Sequence, residues 1–334
     1  MSRVFVLGAG GWGIGLAMVA RRLGHEVILW SHDEEEIREI RAHNENRLRL
    51  PGVSLPEGVE LTTSLDGVSE AELVILAVPS FAIRATAARL RPLLPAGIPV
   101  VNAGKGLEDG TLKRFSTVLE EELPAARIVV LSGPSHAEEV ARCVPTVVTL
   151  ASHDNEAAEL VQKMLGEPRF RLYVNPDVVG VELGGALKNV IALCAGMVDG
   201  LGMGDNTKAA LMTRGLAEIA RLGVAMGAEE RTFAGLSGMG DLMVTCGSMH
   251  SRNRRAGILL GRGLPVEKAV EQVGTVEGYL AARSAYELSC AYDVDMPIVE
   301  QCYRVCYEGL DVRQAVTTLM ERPLRYETEP LWLK

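Results

Sequence analysis

Short apolar runs alternate with segments of helical periodicity through the first half of the sequence. The apolar runs are rich in Val, Ile and Leu on both faces, which is typical of strands covered by helices on both sides. Seven runs are predicted to be strands: 3–7, 26–30, 72–78, 98–103, 127–133, 146–152 and 169–175. Helices are predicted at 12–23, 33–43, 81–93 and 112–123. This alternation predicts an α/β Rossmann domain with a doubly wound, mostly parallel sheet.

The pattern changes after Pro176, where no further strand is predicted. Helical periods interrupted by glycines follow instead, at 178–198, 207–226, 266–273, 277–291, 297–308 and 312–320. A chain of 334 residues is long enough for two domains that each bury a core. We therefore predict a Rossmann domain at 1–178 and an all-helical domain at 179–334.

Composition and charge restrict the possible partners. The net charge is -9, from 34 basic and 43 acidic residues, whereas a general nucleic-acid-binding protein presents a basic surface. The six cysteines lack a C-x-x-C pair or zinc-type spacing, which predicts free thiols, a reducing cytoplasm and no metal. The apolar run at 4–7 is too short for a signal peptide, and the run at 189–204 is interrupted by Asp199. We expect no nucleic-acid partner and no membrane span.

A glycine-rich segment follows the first predicted strand, in the stretch RVFVLGAGGWGIGLA. Gly8, Gly10 and Gly13 fit the pattern G-x-G-x-x-G at the start of a predicted helix, within a βαβ unit of about 30 residues. In that context Gly8 permits a tight turn, Gly10 lets a pyrophosphate approach the backbone, and Gly13 lets the helix pack on the strand. The helix N-terminus offers free N–H groups to the phosphates. A purely structural glycine turn is the less favoured interpretation.

The end of the second predicted strand indicates which dinucleotide binds. An acidic residue at this place bonds the ribose 2′-hydroxyl of NAD and disfavours the 2′-phosphate of NADP. Here the strand ends at Trp30 and is followed by Ser31 and His32, which tolerate a phosphate better than a carboxylate does. Asp33 is predicted to cap the next helix, with Glu36 completing a capping-box-like pattern. The sequence favours NADP(H), or dual use of NADP(H) and NAD(H), although no arginine stands here to bind the phosphate.

Later stretches combine glycines with charged or hydroxyl side chains. NAGKGLE places Lys105 at the carboxyl end of a predicted strand, where ligands bind in such sheets, and LSGPSHAEE places Ser135 after the next strand. ELGGALKNVIALCAGMVDG places Lys188 in an apolar helix, where a lysine either extends to water or occupies a buried site. Gly184 and Gly185 favour the buried site, because they weaken a helix and suit a nearby cofactor or substrate.

These stretches resemble the bacterial NAD(P)-dependent glycerol-3-phosphate dehydrogenase family. The resemblance covers nearly the full chain in order and spacing. It is carried by the motifs G-A-G-x-W-G, V-P-S, K-G-L-E, S-G-P-S, N-P-D-x-x-G-V-E-L-G-G-A-L-K-N, T-R-G-L-x-E, G-x-G-D-L, S-R-N-R and V-E-G. Together these motifs are far more specific than the glycine pattern alone. The resemblance implies an all-α C-terminal domain of the 6-phosphogluconate-dehydrogenase-like type.

The resemblance also implies a reaction, the reduction of dihydroxyacetone phosphate to sn-glycerol 3-phosphate with NAD(P)H for glycerophospholipid synthesis. Charge develops on the carbonyl oxygen, so a proton donor is needed, and the family's catalytic lysine matches Lys188. Substrate-binding positions of the family match Lys105, Gly133, Ser135, Lys188, Asp241, Ser251, Arg252 and Asn253. The glycine pattern and the resemblance together predict the cofactor-binding residues Gly8, Gly10, Gly11, Trp12, Gly13, His32, Lys105, Ala137, Arg252 and Glu277.

Individual roles follow from the chemistry of these side chains. An arginine with neighbouring hydroxyl and amide groups, as in SRNR, suits a phosphate dianion. Asp241 either bonds a substrate hydroxyl or orients Lys188, whereas Arg254 and Arg255 are interpreted as structural or solvated. The chain departs from the family at Gly11, where serine is common, and at Gly104, where serine or threonine is common.

Two other functions remain open at this point. One is another two-domain dehydrogenase acting on a small phosphorylated or hydroxyacyl substrate. The other is a dinucleotide-sensing protein without turnover, which needs no proton donor such as Lys188. By analogy with small helical C-terminal domains of this type, we also expect a homodimer.

Overall fold

A computed structural model of the chain describes residues 1–324, 326 and 327. The chain divides into two compact units, Met1–Glu182 and Leu183–Lys334. The division falls within a single helix, Val178–Gly200, in which the sequence places the domain limit at residue 178. The last part of the predicted second domain, 328–334, lies outside the described residues.

Eight strands form one sheet in the first unit. They are β1 (Arg3–Leu7), β2 (Glu26–Trp30), β3 (Val59–Thr62), β4 (Leu73–Leu76), β5 (Pro99–Asn102), β6 (Arg127–Ser132), β7 (Thr146–Ala151) and β8 (Phe170–Asn175). Their spatial order is β3-β2-β1-β4-β5-β6-β7-β8, and every neighbouring pair is parallel except β6 with β7. The predicted doubly wound, mostly parallel sheet is confirmed. The strand order reverses at β1 and β4, where such sheets bind ligands.

Strand β3 is the element of the sheet that the sequence pattern does not predict. It has only four residues, VELT, and lies at the edge of the sheet with one residue exposed and the others half-buried. A short edge strand of this kind carries too few apolar residues to produce a recognisable run. Its neighbour β2 has the expected apolar character, because Val27 and Leu29 lie in the core on one face of the sheet and Ile28 and Trp30 in the core on the other.

Six helices complete the first unit. They are α1 (Gly11–Arg22), α2 (Glu34–His43), α3 (Ile83–Leu90), α4 (Phe115–Glu122), α5 (Ala137–Ala141) and α6 (Asn155–Leu165). The first four correspond to the predicted helices, but α3 and α4 are shorter than predicted. Leu112 has a φ of 58°, which a helix does not allow, so the chain enters α4 only after this residue.

Successive residues of β1 divide between two cores, one on each face of the sheet. Val4 and Val6 belong to a core shared with α1, whereas Phe5 and Leu7 belong to a core shared with α3 and α4. All four side chains are fully buried. Burial of both faces explains why the strand is apolar at consecutive positions instead of alternating.

Nine helices lie wholly or mainly in the described part of the second unit. They are α7 (Val178–Gly200), α8 (Asp205–Ala225), α9 (Glu230–Phe233), α10 (Asp241–Gly247), α11 (Arg252–Gly261), α12 (Val266–Val273), α13 (Glu277–Ala291), α14 (Pro297–Tyr307) and α15 (Val312–Met320). No strand occurs among the described residues of this unit. Three short helices, α9 to α11, were not predicted, because glycines and turns interrupt their periodicity. A π-helical turn, Leu236–Gly240, leads directly into α10.

Helix α7 is long and apolar enough to cross a membrane by length and composition alone. In its most apolar window, however, 94% of the residues are buried inside the protein. This degree of burial is typical of a helix in a protein core. The first turns are fixed within the first unit by the buried carboxylate of Glu182, which accepts hydrogen bonds from Ser116 N (2.8 Å) and Arg114 Nη1 (2.8 Å).

The six cysteines are all among the described residues, and all have free thiols, as predicted. Cys194, Cys246, Cys302 and Cys306 are buried in the second unit. Burial raises the pKa of Cys246 to about 12, which keeps this thiol protonated and unreactive at neutral pH.

A buried carboxylate caps helix α14. Glu218 of α8 is 2% exposed and accepts hydrogen bonds from the backbone N–H groups of Ile298 and Val299, at 2.9 and 3.2 Å. Burial raises the pKa of Glu218 from 4.5 to about 7, against the opposing effect of these two N–H donors. The first turn of α14 therefore depends on a carboxyl group that titrates near neutral pH.

Replacing this carboxyl group tests its effect on stability. The pKa of Glu218 is higher in the folded than in the unfolded chain, so folding takes up a proton between about pH 4.5 and 7. The contribution of Glu218 to the free energy of unfolding is therefore full below pH 4.5 and is lost as the pH rises through 7. Glu218→Gln cannot ionise, so it should be more stable than wild type at pH 8 by up to about 3 kcal/mol, and similar at pH 5.

Urea denaturation at pH 5, 6, 7 and 8 measures this difference. Glu308→Gln is the control, because Glu308 is exposed and pairs with Arg304 on the surface of α14. A constant difference between Glu218→Gln and wild type across the pH range would contradict the titration of Glu218.

Candidate active site

The turn between β1 and α1 is built on close backbone contacts that only glycine allows. Gly8 has a φ of 114°, and a Cβ there would lie 2.6 Å from the carbonyl oxygen of Ala77. A Cβ on Gly13 would lie 1.8 Å from the carbonyl oxygen of Gly8. By contrast, no heavy atom of the described residues lies within 4 Å of a Cβ on Gly10. The turn thus leaves an open approach to the backbone at the N-terminus of α1, which fits the pyrophosphate of a dinucleotide.

The two residues that follow contact neighbouring loops. A Cβ on Gly11 would lie 2.9 Å from the carbonyl oxygen of Arg49, so the glycine at this position accommodates the 46–50 segment. Trp12 is half-buried, and its indole N–H donates to the carbonyl oxygen of Ala103 at 3.1 Å. These contacts connect the glycine turn with the end of β5.

At the end of β2 the structure confirms one prediction and corrects another. Asp33 caps α2 by accepting a hydrogen bond from Glu35 N at 2.9 Å, as predicted. Glu36 does not complete a capping box. Its Oε2 accepts from the hydroxyl of Ser31 at 2.6 Å, and its Oε1 accepts from Nδ2 of Asn46 at 3.0 Å. His32 is exposed beside this network.

Three predicted substrate-binding residues converge after β5 and β6. The ammonium of Lys105 donates to the carbonyl oxygen of Gly133 at 2.9 Å, and the hydroxyl of Ser135 donates to the same oxygen at 2.9 Å. Gly133 has a φ of 128°, which favours glycine. Ala137 follows in this loop as the first residue of α5.

An ion-pair network supports the loop that carries Lys105. Arg84 of α3 binds both carboxylate oxygens of Glu108, at 2.6 and 2.8 Å, and also contacts two glutamates of α4. The guanidinium of Arg84 lowers the pKa of Glu108. Gly104 lies in the same loop, where a Cβ would stand 3.0 Å from Cδ1 of Ile83. A serine or threonine at this position would therefore need Ile83 to shift.

In the second unit, the ammonium of Lys188 is buried and hydrogen-bonded. Its side chain is 7% exposed, and Nζ lies 2.5 Å from Oδ1 of Asp241 and 2.6 Å from Oγ1 of Thr245. Asp241 is 1% exposed. Of the two roles considered for Asp241, this contact supports the orientation of Lys188. Thr245 was not predicted, although it lies one turn after Asp241 on α10.

A close backbone contact explains the glycine that lies one helical turn before Lys188. A Cβ on Gly184 would lie 2.7 Å from the carbonyl oxygen of Ser237, in the π-helical turn that precedes Asp241. Gly184 therefore lets this turn pack against α7. This backbone contact accounts for Gly184 and brings Asp241 to Lys188, whereas the approach of a cofactor or substrate stays a prediction.

A second chain of hydrogen bonds begins at the residue after Lys188. Asn253 Nδ2 donates to Oδ1 of Asn189 at 2.9 Å, and Oδ1 of Asn253 accepts from Gly278 N at 2.8 Å. Ser251 caps α11 by accepting from Arg254 N at 3.2 Å. The S-R-N-R and V-E-G motifs are thus joined to α7, with Glu277 next to Gly278. Asn189 belongs to the motif that carries Lys188 but is not among the predicted site residues.

Paired glycines hold α11 against α7. A Cβ on Gly196 would lie 2.1 Å from the carbonyl oxygen of Arg254, and a Cβ on Gly200 would lie 2.3 Å from that of Ile258. On α11, a Cβ on Gly257 would lie 2.0 Å from the carbonyl oxygen of Leu193. This close approach fixes the N-terminus of α11 relative to the helix that carries Lys188.

The three arginines of the S-R-N-R-R stretch have different environments. Arg254 is bound to Asp199 at 2.8 Å and to the carbonyl oxygen of Gly247 at 2.8 Å, so it has the structural role considered for it. Asp199 also pairs with Lys208 at 2.5 Å. Arg252 and Arg255 are exposed, and Arg252 is the first residue of α11.

Sequence models of the family described as NAD-dependent glycerol-3-phosphate dehydrogenase match the chain in two parts. The N-terminus model matches residues 3–158, and the C-terminus model matches residues 177–317. The chain belongs to this family. It is therefore an NAD(P)-dependent oxidoreductase that acts on a CH–OH group. Among the described residues, no group of three or more His, Cys, Asp or Glu side chains is placed to hold a metal ion.

Relatives and solved structures from this family align along almost the whole chain. A glycerol-3-phosphate dehydrogenase (NAD(P)+) of Desulfitobacterium hafniense is 55% identical over 334 residues, covering 100% of this chain and 95% of the relative. One of Moorella thermoacetica is 55% identical over 328 residues, covering 98% of each. The crystal structure of glycerol-3-phosphate dehydrogenase from Coxiella burnetii is 38% identical, with a TM-score of 0.92 over 96% of this chain and 99% of that one.

A pair of glycine substitutions tests the geometry of the turn. Gly13→Ala should lower the free energy of unfolding by about 1–3 kcal/mol, because its methyl group collides with the Gly8 carbonyl. Gly10→Ala should leave the stability near wild type but weaken NAD(P)H binding by at least about tenfold, because its methyl group occupies the open approach to the backbone.

Thermal denaturation and nicotinamide fluorescence titration measure these two effects. Each variant is the control for the other, since both add one methyl group to the same turn. Undiminished cofactor binding by Gly10→Ala would contradict the assignment of this turn to the pyrophosphate.

Proposed function

We propose that the chain reduces dihydroxyacetone phosphate to sn-glycerol 3-phosphate with NAD(P)H, and that Lys188 is the general acid. The observation that carries this proposal is the buried ammonium of Lys188, held by Asp241 and Thr245. A sensing protein without turnover has no need of a buried proton donor. Membership of the family supports the dehydrogenase over the other functions considered.

The chemistry requires a hydride and a proton at the two ends of one carbonyl bond. NAD(P)H, when bound, supplies the hydride to the C2 carbon. As the C=O π bond breaks, Lys188 Nζ gives a proton to the oxygen, so an alcohol forms and the lysine becomes neutral. Asp241 holds the ammonium in place and stabilises its charge, while Thr245 fixes the direction of Nζ. In the reverse direction the neutral lysine accepts the proton.

The phosphate of the substrate needs a separate group of donors. Arg252 is exposed at the start of α11, and its guanidinium suits a dianion. The side chains of its neighbours Ser251 and Asn253 are partly committed to the fold, since Ser251 caps α11 and Asn253 bonds Asn189. We assign the main phosphate charge contact to Arg252, with Ser251 and Asn253 as supporting contacts.

The remaining assignments follow the family resemblance. Lys105, Gly133 and Ser135 bind substrate, and Lys105 also contacts the cofactor. Gly8, Gly10, Gly11, Trp12, Gly13, His32, Ala137, Arg252 and Glu277 bind the cofactor. We further propose that the protein works in the cytoplasm as a homodimer without a membrane span, and that its product supplies glycerophospholipid synthesis.

Substitution of two ion-paired lysines of the second unit, Lys188 and Lys208, tests the proton donor. Lys188→Met should lower kcat by about 100- to 10,000-fold, because the alkoxide loses its proton donor. Lys208→Met is the matched control, since Lys208 also pairs with a single aspartate in this unit but has no proposed part in catalysis. Oxidation of NADH or NADPH in the presence of dihydroxyacetone phosphate gives the rates.

Binding and stability measurements keep this test specific. NAD(P)H binding by Lys188→Met should stay near wild type. Because the substitution leaves Asp241 buried without its cation, Lys188→Met/Asp241→Asn is compared as a variant in which that charge is also removed. Turnover near wild type in both variants would refute the role of Lys188, and no oxidation by wild type would refute the proposed reaction.

A further inference from the structure

We propose that Glu36 makes this chain select NAD(H) over NADP(H). This inference rests on the proposed assignment of the glycine turn to the cofactor. It changes the preference expected from the sequence, where Ser31 and His32 favour NADP(H) or dual use. The change comes from a contact that the order of residues along the chain does not reveal.

The end of β2 is joined directly to the glycine turn. Gly8 N donates to the carbonyl oxygen of Trp30 at 2.8 Å, so Ser31 comes immediately after a residue that bonds the turn. In a dinucleotide-binding βαβ unit, the side chain at this point meets the ribose of the adenosine, whose 2′-oxygen carries either a hydrogen or a phosphate. The groups that surround Ser31 therefore decide between the two cofactors.

The hydroxyl of Ser31 is already committed within the protein. Ser31 is 2% exposed. Its hydroxyl donates a hydrogen bond to Oε2 of Glu36 at 2.6 Å and accepts one from Asp33 N at 3.2 Å. The oxygens of a phosphate dianion can only accept hydrogen bonds, so a 2′-phosphate at this place needs the Ser31 hydroxyl as a hydrogen-bond donor. If the Ser31 hydroxyl donated to the phosphate, the carboxylate of Glu36 would lose this hydrogen-bond donor.

The carboxylate of Glu36 is held in place from its other side. Its Oε1 accepts from Asn46 Nδ2 at 3.0 Å, and the same amide group donates to the carbonyl oxygen of Ala9 at 2.9 Å. Asn46 is 5% exposed. A carboxylate offers about four acceptor positions, so Glu36 still has capacity for a ribose hydroxyl after these two bonds. Asn46 thus fixes Glu36 against the turn on which the pyrophosphate lies.

The distance between a bound 2′-phosphate and the carboxylate of Glu36 determines how strongly the binding of NADP(H) is disfavoured. A 2′-phosphate bonded to Ser31 would lie about 5 Å from the carboxylate of Glu36, the length of two successive hydrogen bonds. Like charges at this separation repel appreciably at a partly buried site. A ribose 2′-hydroxyl meets no such repulsion and gains an acceptor.

Nearby cations on α2 are engaged elsewhere. Arg38 pairs with Glu35, and Arg41 donates to the carbonyl oxygen of Leu61 at 2.8 Å. Residues 31–36, all of which the structure describes, carry one basic side chain, His32, and four acidic side chains. The local charge at neutral pH is therefore negative.

Equilibrium binding to the full chain, without substrate, tests the inference. Dissociation constants for NADH and NADPH are measured by nicotinamide fluorescence for wild type, Glu36→Gln and Glu39→Gln. Glu39→Gln removes the same charge from α2 at an exposed position, where Glu39 faces His43. Circular dichroism shows whether each variant is folded.

Wild type should bind NADH at least about tenfold more tightly than NADPH. Glu36→Gln should reduce this ratio by about tenfold, mainly through tighter NADPH binding, whereas Glu39→Gln should leave the ratio unchanged. Ser31→Ala, which removes the hydroxyl but keeps the carboxylate, should still prefer NADH.

Three results would overturn the inference. NADPH binding to wild type as tightly as NADH would remove the proposed selectivity. An unchanged ratio in folded Glu36→Gln, or an equal change in Glu39→Gln, would remove Glu36 as its cause. Failure of wild type to bind either nucleotide would contradict the proposed function itself, which distinguishes that failure from a wrong cofactor preference.

Discussion

A buried ammonium group constrains how the second unit is built. An isolated charge is costly in an apolar helix, so Lys188 is stable there only with a counter-charge at hydrogen-bond distance. Asp241 supplies it, but Asp241 follows a π-helical turn that must press against the same helix. Gly184 permits that approach, because a side chain there would meet the carbonyl oxygen of Ser237. The ion pair, the glycine and the irregular turn are therefore parts of one arrangement, and each explains the presence of the others.

Glycines also bring backbones together at two other places near candidate site residues. Glycines on α7 and α11 bring the two backbones together, and this contact places Asn253 against Asn189. In the first unit, Gly13 against Gly8 sets the direction from which α1 leaves the sheet. Within each unit, backbone contacts of this kind therefore help to position candidate site residues. This is consistent with reactions that need tight control of distance.

Periodicity in the sequence predicts β1, β2 and β4 to β7 because nearly all of their residues are buried. The edge strand β8 is also predicted, since it is six residues long. Periodicity fails for β3, whose four residues lie half-buried at an edge. It also misses α9 to α11, where glycines needed for close packing interrupt the helical pattern. The site shows the same division. Motifs predict Lys188 and Asp241, but Thr245 is found only from its distance to Lys188, since one threonine on an apolar helix carries no distinctive signal.

Glu36 shows most clearly what local sequence rules leave out. A glutamate three residues after a capping aspartate is normally assigned to the cap, because both lie on the first turn of the helix. Here the N–H of Asp33, to which such a glutamate would bond, donates to the hydroxyl of Ser31 instead, so the carboxylate of Glu36 is available to other partners. Asn46, ten residues further on, turns it toward Ser31 and at the same time bonds Ala9 in the glycine turn. In the proposed cofactor site, one amide group thereby connects the pyrophosphate end to the ribose end, and the proposed choice of dinucleotide depends on the packed loop instead of the strand end alone.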